Sequence, residues 1–185
     1  MRIIGGLWRR HNLLVPAGHD IRPTSDRTRE SLFNILENSG NYACWPLADA
    51  TVLDIFAGTG ALGLEALSRG AKQAVFIDDN AISIATVSHN LEKLQAAERA
   101  TVLRRDATRP GPSVANATIV FLDPPYRSGL AEMALTALVK TGWLNSGALA
   151  IVETEMKELI TPPGEFTLIE TRNCGKTKLW FLRYF

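Results

Sequence analysis

The sequence of 185 residues has few cysteines and histidines, two and three respectively, and no long apolar run. Cys44 and Cys174 are isolated, without a CxxC pattern or a histidine cluster, so we expect free thiols and no metal site. No segment is apolar for long enough to cross a bilayer, and the N-terminus lacks the apolar core of a signal peptide. These absences argue against a disulfide scaffold and a membrane protein, and they predict a cytoplasmic protein.

The net charge of +1 conceals an uneven distribution of charge along the chain. Residues 1–30 contain six arginines against three acids, and residues 172–185 contain four basic residues and no acid. The middle of the chain is therefore acidic. If the two ends converge on one face, they form a surface suited to a polyanion, although ordinary solvated charge explains the same pattern.

The first forty residues predict an arm followed by a helix. In residues 1–15, two short apolar pieces flank a glycine pair and a basic cluster, which indicates a small β-hairpin or an extended arm, set apart as residues 1–20. Ser25 or Asp26 is a candidate helix cap, and apolar residues recur over 32–36 at helical spacing.

From residue 50 onward, apolar strands alternate with helices, which is typical of an α/β domain with a parallel sheet covered on both faces. We assign residues 21–185 to this domain. The predicted strands are 51–56, 73–77, 100–103, 118–122 and 148–152, and the predicted helices are 61–68, 81–97 and 130–140. After Pro162-Pro163, two strands over 166–170 and 178–184 follow without a helix, so we expect a C-terminal antiparallel hairpin.

The segment Asp54-Ile-Phe56-Ala57-Gly58-Thr-Gly60-Ala-Leu-Gly63 predicts a strand, a glycine turn and a helix. This spacing is also that of a dinucleotide-binding loop, and without a ligand it is only a tight turn. A carboxylate inside an apolar strand is costly without a partner, so Asp54 needs either backbone N–H groups of the loop or the ammonium group of a ligand. About twenty residues on, a second strand ends in Asp78-Asp79, where a carboxylate can bind ribose hydroxyls or cap a helix.

A later strand ends in Asp123-Pro124-Pro125-Tyr126. In a parallel sheet this strand end lies beside that of Asp54, near the point where ligands bind. The two prolines stiffen the loop and remove local N–H donors, so the acid and a loop carbonyl are available as acceptors. Tyr126 offers a face on which a base can stack.

These motifs resemble those of the bacterial 16S ribosomal RNA guanine-N2 methyltransferases, a class I S-adenosylmethionine-dependent family. The resemblance includes Arg2-Ile-Ile-Gly-Gly-x-Trp-Arg9, Arg22-Pro-Thr24-x-Asp-Arg27 and the helix after Gly60, and it runs nearly end to end. Arg9-Arg10-His-Asn-Leu stands where the family has Arg-Gly-Arg-x-Leu. The resemblance implies a Rossmann-like fold with a mostly parallel seven-stranded sheet.

The resemblance also implies roles for individual residues. Asp54 and the loop from Phe56 to Gly60 would hold the methionine part of the cofactor, and Asp78 would bind its ribose. Asp79, Asn80, Asp106 and Ala107 would lie beside the adenine, and Asp123 to Tyr126 would hold the target guanine. Arg9, Arg10, Arg22, Thr24 and Arg27 are candidates for contacting RNA, and the last three equally suit a capped, salt-bridged helix start.

The implied reaction is methyl transfer from S-adenosylmethionine to the N2 amine of a guanine, leaving S-adenosylhomocysteine, with no metal. The expected partner is 16S ribosomal RNA in an assembling or assembled small subunit, bound by a monomer. Similar motifs serve DNA adenine and protein glutamine methyltransferases, and the glycine spacing alone also fits a nicotinamide oxidoreductase. A non-catalytic RNA-binding assembly module is the alternative outside enzymes.

Overall fold

Seven strands form one sheet in the computed structural model, which describes residues 1–16 and 26–185. They are β1 (Thr51–Ile55), β2 (Gln73–Asp78), β3 (Ala100–Arg104), β4 (Ala117–Leu122), β5 (Leu144–Glu155), β6 (Phe166–Cys174) and β7 (Thr177–Tyr184). The order across the sheet is β3-β2-β1-β4-β5-β7-β6. The first five strands pair in parallel, whereas β7 pairs antiparallel with both β5 and β6. The predicted parallel sheet with its C-terminal antiparallel hairpin is therefore confirmed.

Helices cover both faces of the sheet. The α-helices of the described ranges are α1 (Asp26–Asn38), α2 (Ala61–Ser68), α3 (Ala81–Lys93) and α4 (Leu130–Lys140). The buried residues of α1, α2 and α3 pack in one core with one sheet face, and those of α4 pack in a second core with the other face. None of these helices is long and apolar enough to span a bilayer.

The largest differences from the predicted boundaries are in α3, β5 and β6, and β6 ends at Cys174 rather than at residue 170. Helix α3 ends at Lys93 rather than near residue 97, because Gln95 adopts a left-handed conformation with φ of 54° that a helix cannot continue through. Strand β5 begins at Leu144 and ends at Glu155, so it extends beyond its apolar centre at both ends. Glu155 pairs with Thr177 of β7, so the hairpin provides the ladder partners at the carboxyl end, whereas Leu144 at the other end pairs with Ala117 of β4.

The sheet order places two strand ends next to each other at its centre. From β1 the chain places β2 and β3 on one side of the sheet and β4 and β5 on the other, so the strand order reverses between β1 and β4. These two strands pair from Val52–Ile119 to Ile55–Leu122. Such a reversal leaves a crevice beyond the carboxyl ends of the strands, where α/β proteins bind their ligands. The glycine turn after β1 and the diproline segment after β4 therefore share this crevice.

The N-terminal arm is a compact loop closed by a single antiparallel bridge between Arg2 and Asn12. Its apolar side chains Ile3, Trp8 and Leu13 are buried in the same core as α1, α2 and α3. The arm is therefore fastened to the sheet domain by packing as well as by hydrogen bonds.

Helix α2 supplies the hydrogen bonds that fasten the arm. The carboxylate of Glu65, which is 0% exposed, accepts the backbone N–H groups of Ile4 and Gly5 at 2.7 Å each. It also accepts from Arg69 Nε at 2.7 Å, so its buried charge has a cationic partner. The Ser68 hydroxyl donates to the Gly5 carbonyl and accepts the Trp8 N–H.

Asn90 of α3 connects the arm to the glycine turn. Its side-chain oxygen accepts the Leu14 N–H at 2.7 Å, and its amide nitrogen donates to the carbonyls of Leu14 and Thr59 at 3.3 and 3.1 Å. The side chain is fully buried, so loss of these bonds would leave unpaired polar groups in the core. The position of the arm and the position of the glycine turn are therefore coupled.

Gly6 is required for the close approach of the arm to α2. Its φ is +73°, and a Cβ there would stand 1.9 Å from the Ser68 carbonyl oxygen. We expect Gly6→Ala to lower the free energy of unfolding by about 2 kcal/mol or more, since both the backbone conformation and the contact become unfavourable. Urea denaturation followed by circular dichroism measures this loss. Gly40→Ala is the control, because a Cβ there meets nothing within 4 Å, and an equal loss in both variants would contradict the arm's role.

Candidate active site

A cavity of about 790 Å³ lies over the carboxyl ends of the central strands. This volume is within the range of roughly 300–1,000 Å³ that is usual for small-molecule sites. The wall is built from the glycine turn, the end of β2, the diproline segment, the start of α1 and the β6–β7 turn. The predicted site residues in this wall are Arg27, Asp54, Phe56, Ala57, Gly58, Asp78, Asp79, Asn80, Asp123, Pro124, Pro125 and Tyr126.

The glycine turn places backbone N–H groups around a buried carboxylate. The Gly63 N–H donates to Asp54 Oδ2 at 2.8 Å, which confirms the loop N–H groups as a partner of this acid. A Cβ at Gly63 would stand 2.4 Å from the Phe76 ring, so only glycine lets α2 pack this close to β2. Gly60 caps α2 with φ of 77°, and the turn begins at Phe56, whose φ of 61° is unusual for an aromatic residue.

The environment of Asp54 favours the protonated form of its carboxyl. The residue is 2% exposed, and burial raises the pKa of its carboxyl from 3.8 to about 8. The negative charges of Asp123 and Asp78 act in the same direction, whereas the Gly63 N–H lowers the pKa. A positively charged ligand in the cavity would lower the pKa of Asp54 and favour its ionised form.

Asp78 stands at the rim of the cavity and organises the turn. Its Oδ2 accepts the Gly58 N–H at 2.8 Å, and its Oδ1 accepts the Asn80 N–H at 2.9 Å. Asn80, not Asp78, caps α3 by accepting the Ile82 N–H at 2.8 Å. The helix-capping alternative for Asp78 is therefore wrong, and the remaining lone pairs of its carboxylate are positioned to accept hydroxyl groups in the cavity.

The diproline segment lies opposite the glycine turn. Pro124 is buried, Pro125 is exposed, and the Pro125 carbonyl accepts the Ser128 hydroxyl at 2.5 Å. Arg127, which follows Tyr126, anchors the loop to β5 and to the segment after β5. Its N–H donates to Glu158, and its Nε donates to Glu155 at 2.6 Å. The structure thus brings the two sequence motifs together on one cavity in a fixed orientation.

Other predicted residues lie elsewhere. Asp106 and Ala107 are outside the described lining of the cavity. Hydrogen bonds from Thr108 lower the pKa of the Asp106 carboxyl, and Arg109 adds to this effect. Arg9 and Arg10 are exposed on the arm, away from the cavity wall. Arg22 and Thr24 fall outside the residues that the structure describes.

The cavity wall also contains residues that the sequence motifs did not indicate. They include Thr28 and Ser31 on α1, Ala61 and Leu62 on α2, Ser83 on α3, Glu153 on β5, and Asn173, Cys174, Gly175, Lys176 and Thr177 at the β6–β7 turn. Burial raises the pKa of the Cys174 thiol, and the charge of Glu153 adds to this effect. The one signal in the sequence was Glu153, an acid at the end of an apolar strand, which is the pattern that identified Asp54 and Asp123.

Within residues 1–16 and 26–185, no three histidine, cysteine, aspartate or glutamate side chains are grouped as metal ligands would be.

Comparison with known proteins finds close relatives over nearly the whole chain. The family described as "Conserved hypothetical protein 95" matches residues 1–183. "Ribosomal RNA small subunit methyltransferase D" of Escherichia coli K12 is 41% identical over 178 residues, which are 95% of this chain and 86% of that protein. The protein of the same name from Haemophilus influenzae is 36% identical over 95% of this chain and 89% of its own length. The solved structure named "Putative methyltransferase yhhF", from Escherichia coli, superimposes with a TM-score of 0.84 at 38% identity, covering 100% of this chain and 97% of that one.

The raised pKa of Asp54 predicts a pH-dependent cost to folding. Because about 8 in the folded chain exceeds the ordinary 3.8, the carboxyl favours the folded state fully below about pH 4, and this contribution is lost as the pH rises towards 8. We expect the free energy of unfolding of the wild type, relative to Asp54→Asn, to fall steadily between pH 4 and pH 8. Urea denaturation across this range measures the difference. Glu98→Gln, at an exposed site, is the control, and a wild-type advantage over Asp54→Asn that grows with pH would contradict the assignment.

Proposed function

The chain belongs to the Conserved hypothetical protein 95 family, and from this we propose that it transfers a methyl group from S-adenosylmethionine to the N2 amine of a guanine in 16S ribosomal RNA. It is a methyltransferase, as the resemblance of its motifs implied, and that resemblance is confirmed. The observation that carries the proposed roles is the meeting of the glycine turn and Asp123–Tyr126 on one cavity. A nicotinamide oxidoreductase or a non-catalytic module would leave the diproline segment without a role.

The residues around the glycine turn fit this cofactor. S-adenosylmethionine, when bound, supplies a methyl group on a positively charged sulfur that keeps the bonding electron pair as the methyl leaves. The acids Asp54 and Asp78 suit a ligand with a cationic centre and ribose hydroxyls, and the buried Asp54 in particular needs positive charge nearby. We assign Phe56 to Gly60 to its methionine part, and Asp79 and Asn80 to the adenine side. Asp106 and Ala107 stay a proposal for the adenine edge.

The diproline segment holds the amine that receives the methyl group. The N2 lone pair of guanine is delocalised into the ring, so the amine is a poor nucleophile. Asp123 accepts one N2 hydrogen and the carbonyl of Pro124 accepts the other, which draws the nitrogen toward tetrahedral geometry and aims its lone pair. The lone pair forms the new N–C bond as the methyl leaves the sulfur, and the methylated nitrogen then loses one proton to solvent. Such positioning lowers a barrier by several kcal/mol, and acceptors aimed at developing positive charge lower it further.

Tyr126 provides the stacking surface for the base. Tyr126 lines the cavity beside Pro125, and its hydroxyl donates a long hydrogen bond of 3.4 Å to Glu153 Oε1. The guanine must be unpaired or flipped out of the RNA to reach this position.

Removal of the Asp123 carboxylate tests the proposed reaction. We expect Asp123→Ala to lower the rate of transfer at least about 100-fold, because an acceptor aimed at the developing charge is lost. Asp123→Asn should retain most of the rate, since its amide oxygen accepts the same hydrogen. A tritiated-methyl assay on small-subunit RNA measures the rate, and mass spectrometry of the digested RNA identifies the methylated base.

Cofactor binding is the control for this experiment. Isothermal titration should show S-adenosylhomocysteine binding to wild type and Asp123→Ala within a few-fold, and no binding of NAD. Near-normal turnover in Asp123→Ala would refute the role of the acid, and a product methylated on a base other than guanine would refute the substrate.

The arm is the proposed RNA contact. Arg9 and Arg10 are exposed on a part of the chain that packs directly on α2, the helix that follows the glycine turn, and Arg27 is exposed at the mouth of the cavity. Lys176 lies at the same mouth on the β6–β7 turn. Arg27 and Lys176 thus bring one basic residue from each end of the chain to this opening, which favours a polyanionic substrate. The proposed partner is ribosomal RNA within the small subunit, bound in the cytoplasm by a monomer; Arg22 and Thr24 remain candidates for the same surface.

Phosphate contacts make RNA binding dependent on salt. We expect Arg9→Ala and Arg10→Ala each to reduce the slope of log K against log[salt] by roughly 0.7–0.9, because each removes one phosphate contact. Filter binding of a 16S transcript between 50 and 300 mM KCl measures the slope. Lys140→Ala is the matched control, since this exposed residue ends α4 on the opposite face of the sheet. An unchanged slope in both arginine variants would show that the arm does not contact RNA.

A further inference from the structure

Glu153 is a buried acid that the proposed reaction does not use. It lies near the carboxyl end of β5, is 6% exposed and lines the same cavity as Asp123. Leu122 of β4 and Val152 of β5 are partners in the parallel ladder, so the next residue of each chain segment, Asp123 and Glu153, stands beside the other. Neighbouring strands are about 4.8 Å apart. Two carboxylates therefore face the cavity side by side.

The alternation of the strands directs both acids to the same face of the sheet. Phe121 and Ile151, two residues before Asp123 and Glu153, are both in the core formed with α1. The diproline segment closes one side of this part of the cavity, and Tyr126 donates to Glu153 from there. An ionised carboxylate offers about four acceptor positions, so the hydrogen bond from Tyr126 does not by itself saturate Glu153.

The hydrogen-bonding character of the two acids suits one edge of guanine. The Watson–Crick edge of guanine presents two adjacent donors, the N2 amine and the N1–H. Adenine presents an acceptor at N1, as does 2-aminopurine, which keeps an amine at C2. An ionised carboxylate only accepts hydrogen bonds, so it attracts an N1–H and repels an N1 lone pair. With the amine held by Asp123, the neighbouring acid faces position N1 of the base.

We propose that Glu153 selects guanine by accepting the N1–H hydrogen bond while Asp123 holds the N2 amine. This inference rests on the proposed function, and it adds the residue that determines which base is accepted. Glu153 is a specificity-determining residue in this scheme, and the methyl transfer itself remains with the diproline segment.

The test compares guanine with 2-aminopurine at the methylated position. Mass spectrometry first locates the methylated nucleotide. A synthetic RNA segment that carries either base at this position is then ligated to transcribed segments, and the resulting RNA is assembled with small-subunit proteins. The wild type should methylate the 2-aminopurine particle with kcat/KM at least about 100-fold lower than the guanine particle, since a site built around a donor rejects an analogue that lacks it.

Glu153→Gln should change the preference rather than only the rate. Its amide can donate to the N1 of 2-aminopurine, so we expect transfer to guanine to fall, transfer to 2-aminopurine to rise, and the ratio to drop at least about tenfold. Glu165→Gln is the control, because this exposed acid precedes β6 at the opposite end of the sheet, and it should keep the wild-type ratio. Titration with S-adenosylhomocysteine should give the same affinity in all three proteins.

Two results would overturn the assignment of Glu153. Equal transfer to both bases by the wild type would show that N1–H is not recognised, and this measurement does not depend on the folding of any variant. An equal loss on both bases in Glu153→Gln would show a structural role only. Failure of the wild type to methylate the guanine particle would instead refute the proposed function itself.

Discussion

The site depends on a row of carboxylates at the ends of adjacent strands. Asp78, Asp54, Asp123 and Glu153 belong to or directly follow β2, β1, β4 and β5, which are consecutive in the sheet, and all four line one cavity. Such a concentration of like charge in a partly buried place is unfavourable. Burial raises the pKa of Asp54 most, and the charges of Asp123 and Asp78 add to this effect. The fold tolerates it because backbone N–H groups of the glycine turn bind two of these acids. Positive charge and hydrogen-bond donors on ligands would relieve the rest: the proposed cofactor is cationic, and the proposed base is neutral but has several donors.

Hydrogen bonds from buried polar side chains join the arm to the glycine turn. Glu65 and Ser68 hold the arm against α2, and Asn90 joins the arm to Thr59 in the turn. An element that carries exposed arginines is thus attached, through the buried side chain of Asn90, to the loop assigned to the cofactor. Displacement of one of these elements would disturb the other, because the polar groups that join them have no access to water.

The sequence was sufficient for the sheet and for the two motifs that meet in it, since apolar strands, glycine spacing and an acid before two prolines are local signals. It also indicated that Asp54 needed a partner, and Gly63 supplies one. It did not place Asn173 to Thr177 in the cavity wall, because that contact follows from β7 lying between β5 and β6, which no local pattern specifies. Glu153 was missed for a different reason. Its signal was present, an acid ending an apolar strand, but without a neighbouring proline or glycine motif it resembled an ordinary strand terminus.

The position of β7 has a consequence for how the enzyme is assembled. This strand follows the other six in the chain, yet it lies inside the sheet, between β5 and β6, and its first residue Thr177 helps to form the cavity wall. Its ladder with β6 is a local hairpin, whereas its ladder with β5 joins strands that are separated in the chain by the whole of β6. The catalytic chamber is therefore completed only after the last strand has inserted, and a partly synthesised chain has an open chamber that lacks one wall.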